Sequence, residues 1–278
     1  MGIEVRHGSG VGDGGQAPRS DGNRSTSTTD SQQVMQVTVL GSGDAFGAGG
    51  RFHSAYVTEA PGATFLLDCG PSILQAAKQA GWDVSMLDAV LLSHLHGDHF
   101  GGLPFLFMEY RYESPRSRPL VICGPKDTER RVKALFSALY EKTAAEPLPF
   151  PVEYRELHAG ETVRLGEARV TAIPVHHVPE LMSFGYLVEA RGRKVLYSGD
   201  TAWTDELMAH ADGVDLFICE CSTYETRLDI HVSYPEIAAR AHELGCRRVL
   251  LTHLGSEPLR RLDDITLECA QDGMRVRL

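Results

Sequence analysis

No two cysteines in this chain are spaced as CxxC; the six present (Cys69, Cys123, Cys219, Cys221, Cys246 and Cys269) are scattered along 278 residues. That spacing excludes zinc ribbons and thioredoxin-type redox centres, which need paired thiols. Disulfide staples are unnecessary too, because a chain of this length with 42% hydrophobic residues can bury a large core. Most of the thiols lie in apolar runs such as "LVICG" and "LFICEC". They are expected to be buried and reduced, as in a cytoplasmic protein. Cys219 and Cys221 are two apart in an expected strand and share a face, where core packing is expected ahead of a metal role.

Long apolar runs are missing as well. None approaches the roughly 20 residues of a membrane-spanning helix, so no membrane partner is expected. No basic segment leads into an apolar one at the start, so no signal peptide is read. Positive charge is scarce: 27 Lys and Arg face 37 Asp and Glu, a net charge of −10. Such a surface repels a phosphate backbone and disfavours non-specific nucleic-acid binding. The Gly-rich stretch "GSGDAFGAGG" lacks the closing Gly-Lys-Ser/Thr of a phosphate-binding P-loop, which removes that class also.

What is present divides unevenly. Residues 1–33 are rich in Gly, Ser, Thr and Asp and bury too little apolar surface to offset ordering entropy, so a disordered tail is expected. Residues 34–278 show no internal linker and read as one domain. Short β-branched runs predict strands at "VMQVTVL", "SAYVT", "ATFLLD", "DAVLLS", "PLVIC", "VEYREL", "ARVTAIPV", "FGYLVEA", "KVLYSGD", "DLFICE" and "RVLLTH". Helices are predicted near 72–80, 102–111, 127–140, 204–211 and 233–244, the last opened by a Ser233–Glu236 capping box with Pro235 in its first turn. Strands outnumber helices in two successive blocks. That order fits an α/β fold of two mixed sheets packed face to face, helices outside.

The chemistry concentrates in "LLSHLHGDHFGG", which crowds His94, His96, Asp98 and His99 into six positions behind an apolar run. A lone histidine is usually structural, but packing gives no reason to gather three beside an aspartate. Other predicted strands also end in metal-capable residues: "VTAIPV" runs into His176–His177, "KVLYSG" into Asp200, and "RVLLT" into His253. Strand ends are where a rigid scaffold can bring ligands together. Imidazoles and carboxylates are ordinary zinc ligands, and a pair of ions can clamp both oxygens of a displacement.

"SHLHGDH" resembles the HxHxDH signature of the metallo-β-lactamase superfamily, and "TVLGSGDAF", "FLLDCG", "YSGDT" and "LLTHL" follow that family's order from about residue 35 onward. The resemblance implies a four-layer αββα sandwich with a dinuclear site between the sheets. It places His94, His96 and one of His176/His177 on the first metal, and Asp98, His99 and His253 on the second, with Asp200 bridging. His177 is preferred because the family's ligand commonly lies three positions after a proline, here Pro174. Two Zn²⁺ are the implied cofactors, with Mn²⁺ or Fe fitting much the same set.

Within the superfamily the chain resembles the ribonuclease Z and cyclic-phosphodiesterase branch, through "LGSGDAFG", "HGDHFGGLP", "VICGPKDT" and the stretch from "DLFICECSTYETRLDIHVSYPEI" to "LLTHL". By that resemblance Glu220 orients His231, which donates a proton to a leaving oxygen while Asp98 assists a metal-bridging hydroxide. The ribonuclease Z arm that grips tRNA lies between the third metal histidine and the bridging aspartate. Here only "VPELMSFGYLVEARGRKVLYSG" lies between His177 and Asp200, a strand–turn–strand with Arg191–Gly192–Arg193 as its turn. A phosphodiesterase for a small or cyclic phosphodiester is therefore the preferred expectation. Arg111, Arg116 and Arg118 could hold its phosphate or lie on a solvated loop. RNA processing is the nearest alternative. A lactonase, thioesterase or β-lactamase on the same site follows, and then a non-catalytic metal-binding or nucleic-acid-binding module. A homodimer is implied only by analogy with the branch.

Overall fold

A computed structural model describes residues 34–178 and 180–278. The expected tail at 1–33 lies outside the described residues. Among the described residues, fourteen strands form two seven-stranded sheets. The first contains β1 (Gln36–Gly41), β2 (Ala55–Ala60), β3 (Ala63–Leu67), β4 (Ala89–Leu91), β5 (Leu120–Gly124) and β6 (Val152–Glu156). The second contains β7 (Thr162–Leu165), β8 (Ala168–Pro174), β9 (Phe184–Ala190), β10 (Arg193–Tyr197), β11 (Leu216–Glu220), β12 (Val249–Thr252) and β13 (Glu268–Cys269). The last strand, β14 (Arg275–Arg277), returns to pair antiparallel with β1 at the edge of the first sheet.

Both sheets are mixed. β1–β2–β3 and β7–β8–β9–β10 pair antiparallel; β3–β4–β5–β6 and β10–β11–β12–β13 pair parallel. Parallel strands buried on both faces read as unbroken apolar runs, and the period of two sorts their side chains. Phe65, Leu67, Ala89 and Leu91 meet Tyr186, Val188, Val195, Tyr197 and Ile218 between the sheets. Leu66, Val90 and Ile122 point the other way, under α1 (Ile73–Ala80), α3 (Leu103–Tyr112) and α4 (Thr128–Leu139). Leu196, Phe217 and Leu251 do the same under α6 (Asp205–Ala209) and α7 (Tyr234–Arg240). Three apolar layers separate four layers of secondary structure, an αββα sandwich. α1 shows the helical side of this pattern: it buries Ile73, Ala76 and Ala77, one face, and stops at Gly81 with φ 63°.

Local chemistry differs from expectation at a few places. Ser233 is the N-cap of α7, with Pro235 in the first turn, but its side chain makes no capping bond. The Tyr234 N–H instead donates to the Thr223 carbonyl at 2.9 Å, because residues 223 and 233 are paired across the base of a loop. β7, β13, β14 and the five-residue α8 (Ser256–Arg260) are too short to carry a period in the sequence. The hairpin between β9 and β10 turns on Arg191 and Gly192, both with positive φ, as a tight two-residue turn demands. All six cysteines are free, and Cys219 and Cys221 lie in the core under α6 and α7. Among the described residues, no helix is long and apolar enough to cross a membrane.

Candidate metal centre

The ends of β3, β4, β8, β10, β11 and β12 converge at one edge of the sandwich. His94 and His96 follow β4; Asp98 and His99 lie in the one-turn α2 (Gly97–Phe100). His177 follows β8, Asp200 follows β10 and His253 follows β12. Their ligand atoms form two groups, each closed within 4.8 Å: His94, His96 and His177; then Asp98, His99, Asp200 and His253. Each group draws on both sheets. Asp200 joins them: its Oδ2 lies 3.3 Å from the Nε2 atoms of His99 and His253 and 4.0 Å from that of His94. His176 is exposed and belongs to neither group.

These groups fit a metal by two measures. First, the Nε2 atoms of His94 and His99 and Oδ1 of Asp200 are buried without a hydrogen-bond partner. Buried polar atoms are rarely left so. Second, a tetrahedral ion with bonds of about 2.0–2.1 Å spaces its ligand atoms about 3.3–3.4 Å apart. The His96 Nδ1–His177 Nε2, His99 Nε2–Asp98 Oδ2 and His253 Nε2–Asp98 Oδ2 separations are 3.2, 3.1 and 3.3 Å.

Partners behind the imidazoles fix which nitrogen faces inward. Asp68, fully buried at the end of β3 with φ 60°, accepts from the Ser93 N–H and hydroxyl at 2.7 Å each. It also accepts from His99 Nδ1 at 2.8 Å and the Tyr197 hydroxyl at 2.6 Å. Having donated its proton to Asp68, the Ser93 hydroxyl can only accept from His94 Nδ1, 3.0 Å away. Ser222 repeats the device, donating to Glu220 at 2.7 Å and accepting from His253 Nδ1 at 2.9 Å. His177 Nδ1 donates to the Ile230 carbonyl at 3.0 Å. Four histidines are thus held with Nε2 toward the groups described above, the arrangement metal-ligating imidazoles need. Asp68, Ser93, Tyr197 and Ser222 were not among the site residues expected from sequence. The one available signal is Asp68 closing an apolar strand in "FLLDCG".

Burial holds the pKa of His94, His96 and His177 below the ordinary imidazole value. For His99 and His253 burial, the largest single effect, works the same way, but the surrounding carboxylates together outweigh it and raise both: Asp200 first, with Asp68 and Asp98 at His99 and Asp98 and Glu220 at His253. Asp98 and Asp200 are driven well below the usual carboxylate range: burial opposes their charge, and His99 and His253 overcome it.

Beside the groups, buried Glu220 accepts from His231 Nδ1 at 2.9 Å and from the Thr201 N–H at 2.5 Å. Burial opposes charge on His231, but Glu220 prevails and lifts its pKa to about 9. The His231 ring stacks 5.8 Å from that of His253 and meets His177 edge-on at 4.9 Å. Both groups and His231 open into one cavity of about 360 Å³. At its lip stand Phe46, 92% exposed, and Leu228, 43% exposed. On its other side His231 borders a polar recess of about 260 Å³ with Trp203 and Arg227. The three arginines considered as phosphate holders are elsewhere. Arg111 pairs with Glu146, Arg116 donates to the carbonyls of Arg118 and Pro119, and Arg118 pairs with Asp88. None lines the cavity; they tie loops together.

Residues 35–266 match the family described as "Anti-Pycsar protein Apyc1". The chain belongs to that family. Among curated proteins, this Apyc1-family chain is 35% identical over 227 residues to "Uncharacterized protein Rv1339" of Mycobacterium tuberculosis, covering 79% of the chain and 81% of the relative. It is 32% identical over 240 residues to "Ribonuclease Z" of Mycolicibacterium paratuberculosis, covering 79% and 86%. Among solved structures, the short form of human tRNase Z superposes with TM-score 0.70 at 25% identity, covering 88% of this chain and 98% of that one. These likenesses and the sandwich make the Apyc1-family chain a metal-dependent hydrolase of the metallo-β-lactamase superfamily, on the ribonuclease Z side of it.

Proposed function

We propose that the chain is a two-metal phosphodiesterase for a small or cyclic phosphodiester. The observation that carries this reading is His231, held on Glu220 and facing the same cavity as both ligand groups. His94, His96 and His177 would hold one divalent ion and Asp98, His99 and His253 the other, with Asp200 between; Zn²⁺ suits the set, as would Mn²⁺ or Fe. When bound, two such ions supply a water that ionises near neutral pH and positive charge for the phosphoryl oxygens.

The chain's own residues do the rest. Asp98 accepts a hydrogen bond from the attacking water and orients it. His231, with Nδ1 committed to Glu220, donates from Nε2 to the leaving oxygen. The leaving group then faces the recess of Trp203 and Arg227. Phe46 and Leu228 flank an apolar or flat part of the substrate at the cavity lip.

Cavity volume supports a small substrate, since about 360 Å³ lies in the range of small-molecule pockets. The short β9–β10 hairpin and the net charge of −10 count against a long RNA. The relatives named ribonuclease Z favour RNA cleavage as the second reading. A homodimer is proposed only by analogy with that branch.

The test is metal content by plasma mass spectrometry together with hydrolysis of bis-p-nitrophenyl phosphate, cyclic phosphates, nitrocefin, a lactone and a tRNA precursor. Near two metals per chain and chelator-sensitive turnover of the small phosphodiesters are expected. In His231→Ala, kcat on the cyclic phosphates, whose alkoxide leaving groups need a proton, should fall about 10²–10⁴-fold with metal retained. Turnover confined to nitrocefin or the lactone, or metal loss in His231→Ala, would overturn the reading.

A further inference from the structure

We propose that Glu257 is a positioning residue for His231: it clamps the tip of the loop that carries the proton donor onto the short helix that follows the metal ligand His253. The inference rests on the phosphodiesterase reading above.

The loop runs from the end of β11 to α7, and its residues 225–229 are exposed. Its base is closed by the pairing of Thr223 with Ser233. Its two limbs present three groups to the site: the Ser222 hydroxyl to His253 from the outgoing limb, and the Ile230 carbonyl to His177 and His231 itself from the returning one. An exposed excursion of this length has few apolar contacts to hold it. Glu257 replaces them. One carboxylate oxygen accepts from three successive N–H groups, those of Tyr224, Glu225 and Thr226, at 3.0, 2.8 and 3.0 Å. The other accepts from the Thr226 hydroxyl at 2.5 Å. Consecutive amides on one oxygen form a nest, a concavity suited to an anion such as the Glu257 carboxylate.

The clamp has a rigid base. Glu257 lies in α8, three residues beyond Leu254, which is fully buried and bridges to Gly43. His253, just before, takes a left-handed φ of 53°, and Pro258 just after is buried. Arg261 reinforces the tie, pairing with Glu225 and lying 5.1 Å over the Tyr224 ring. A shift of the loop tip would be felt at His231, whose placement matters most when the leaving group needs a proton. Misplacing a catalytic group by about 1 Å can cost about 10²-fold.

The experiment compares wild type, Glu257→Ala, Glu257→Gln, His231→Ala and the Glu257→Ala/His231→Ala double variant. Each is assayed on phosphodiesters with p-nitrophenyl and with alkyl leaving groups. Glu257→Ala should lower kcat roughly 10–100-fold for alkyl leaving groups and little for p-nitrophenyl, which departs without help. Metal content should stay at the parental value. Glu257→Gln, still able to accept from the nest, should recover part of the loss. The double variant should be no slower than His231→Ala alone. An equal loss for both leaving groups, loss of metal, additive losses, or unchanged rates would overturn the proposal. If His231→Ala itself shows no leaving-group dependence, the phosphodiesterase mechanism fails first. If it does and Glu257→Ala does not, only this inference fails.

Discussion

Replacing Asp68 tests whether the metal groups depend on a residue that would touch neither metal. Its Oδ2 accepts from the Ser93 hydroxyl, His99 Nδ1 and the Tyr197 hydroxyl, and its Oδ1 from the Ser93 N–H. In Asp68→Asn the new side chain can keep its oxygen where three donors point. Its amide then faces the Ser93 N–H, one donor against another, a conflict of about 1–3 kcal/mol. Asparagine also tolerates the left-handed backbone that residue 68 adopts. Asp68→Ala strands all four donors in a fully buried place and adds about 1–2 kcal/mol of backbone strain. The total is several kcal/mol, comparable with the ~5–15 kcal/mol that holds a domain folded. Asp68→Asn should therefore fold with a lowered melting temperature, and Asp68→Ala should be marginal. Loss of an outer partner of this kind costs about 10–100-fold in metal affinity, or ~1.4–2.7 kcal/mol. Competition with a chromogenic chelator measures the affinity, and calorimetry of the metal-free chains measures the stability. If Asp68→Asn holds both metals with parental affinity, the argument that Asp68 fixes the His99 and His94 nitrogens is wrong.

Three further outcomes follow from the same geometry. His94→Ala should remove metal and activity together, read by mass spectrometry and turnover, because His94 Nε2 points into the first group with no other partner. Gly199→Ala should lower the melting temperature and metal retention: residue 199 has φ 59°, and an added Cβ would lie 2.7 Å from the Phe184 carbonyl oxygen, displacing Asp200 next to it. Phe46→Ala should raise KM about tenfold for substrates with a flat group while sparing kcat, as loss of a stacking contact of ~1–3 kcal/mol would; an unchanged KM would remove Phe46 from the substrate's path.

Much of this was readable from the sequence because the physical signal was local. An apolar run ending in three histidines and an aspartate needs no tertiary information to look like a ligand set. The strands were legible because the parallel ones, buried on both faces, are apolar throughout. Asp68 does not read as a site residue, since one acid at a strand end looks the same whether it faces solvent or four donors. Ser93 and Ser222 were missed for the same reason: a hydroxyl's role is set by which partner has already taken its proton. The arginines of "EYRYESPRSRP" leave phosphate holding and a loop role both open in the sequence, because nothing in their order shows that the chain folds back to offer them carbonyls and carboxylates. Ser233 carries the pattern of a helix cap, but the loop closure at Thr223 satisfies the backbone first. α8 is five residues long with a central proline, and its contribution through Glu257 arises wholly from a loop 32 residues earlier.

Each ligand group takes two residues from before β6 and the others from after β7. A cut in the connection between those strands would leave two fragments, neither owning a complete set. Reassembly of such fragments would then depend on divalent ion concentration, and chelation would separate them. The same halves are also interleaved, because β14 of the second fragment completes the sheet of the first. The ions at this seam would act as reversible cross-links between two halves of one polypeptide, and their release would set how readily the sandwich parts.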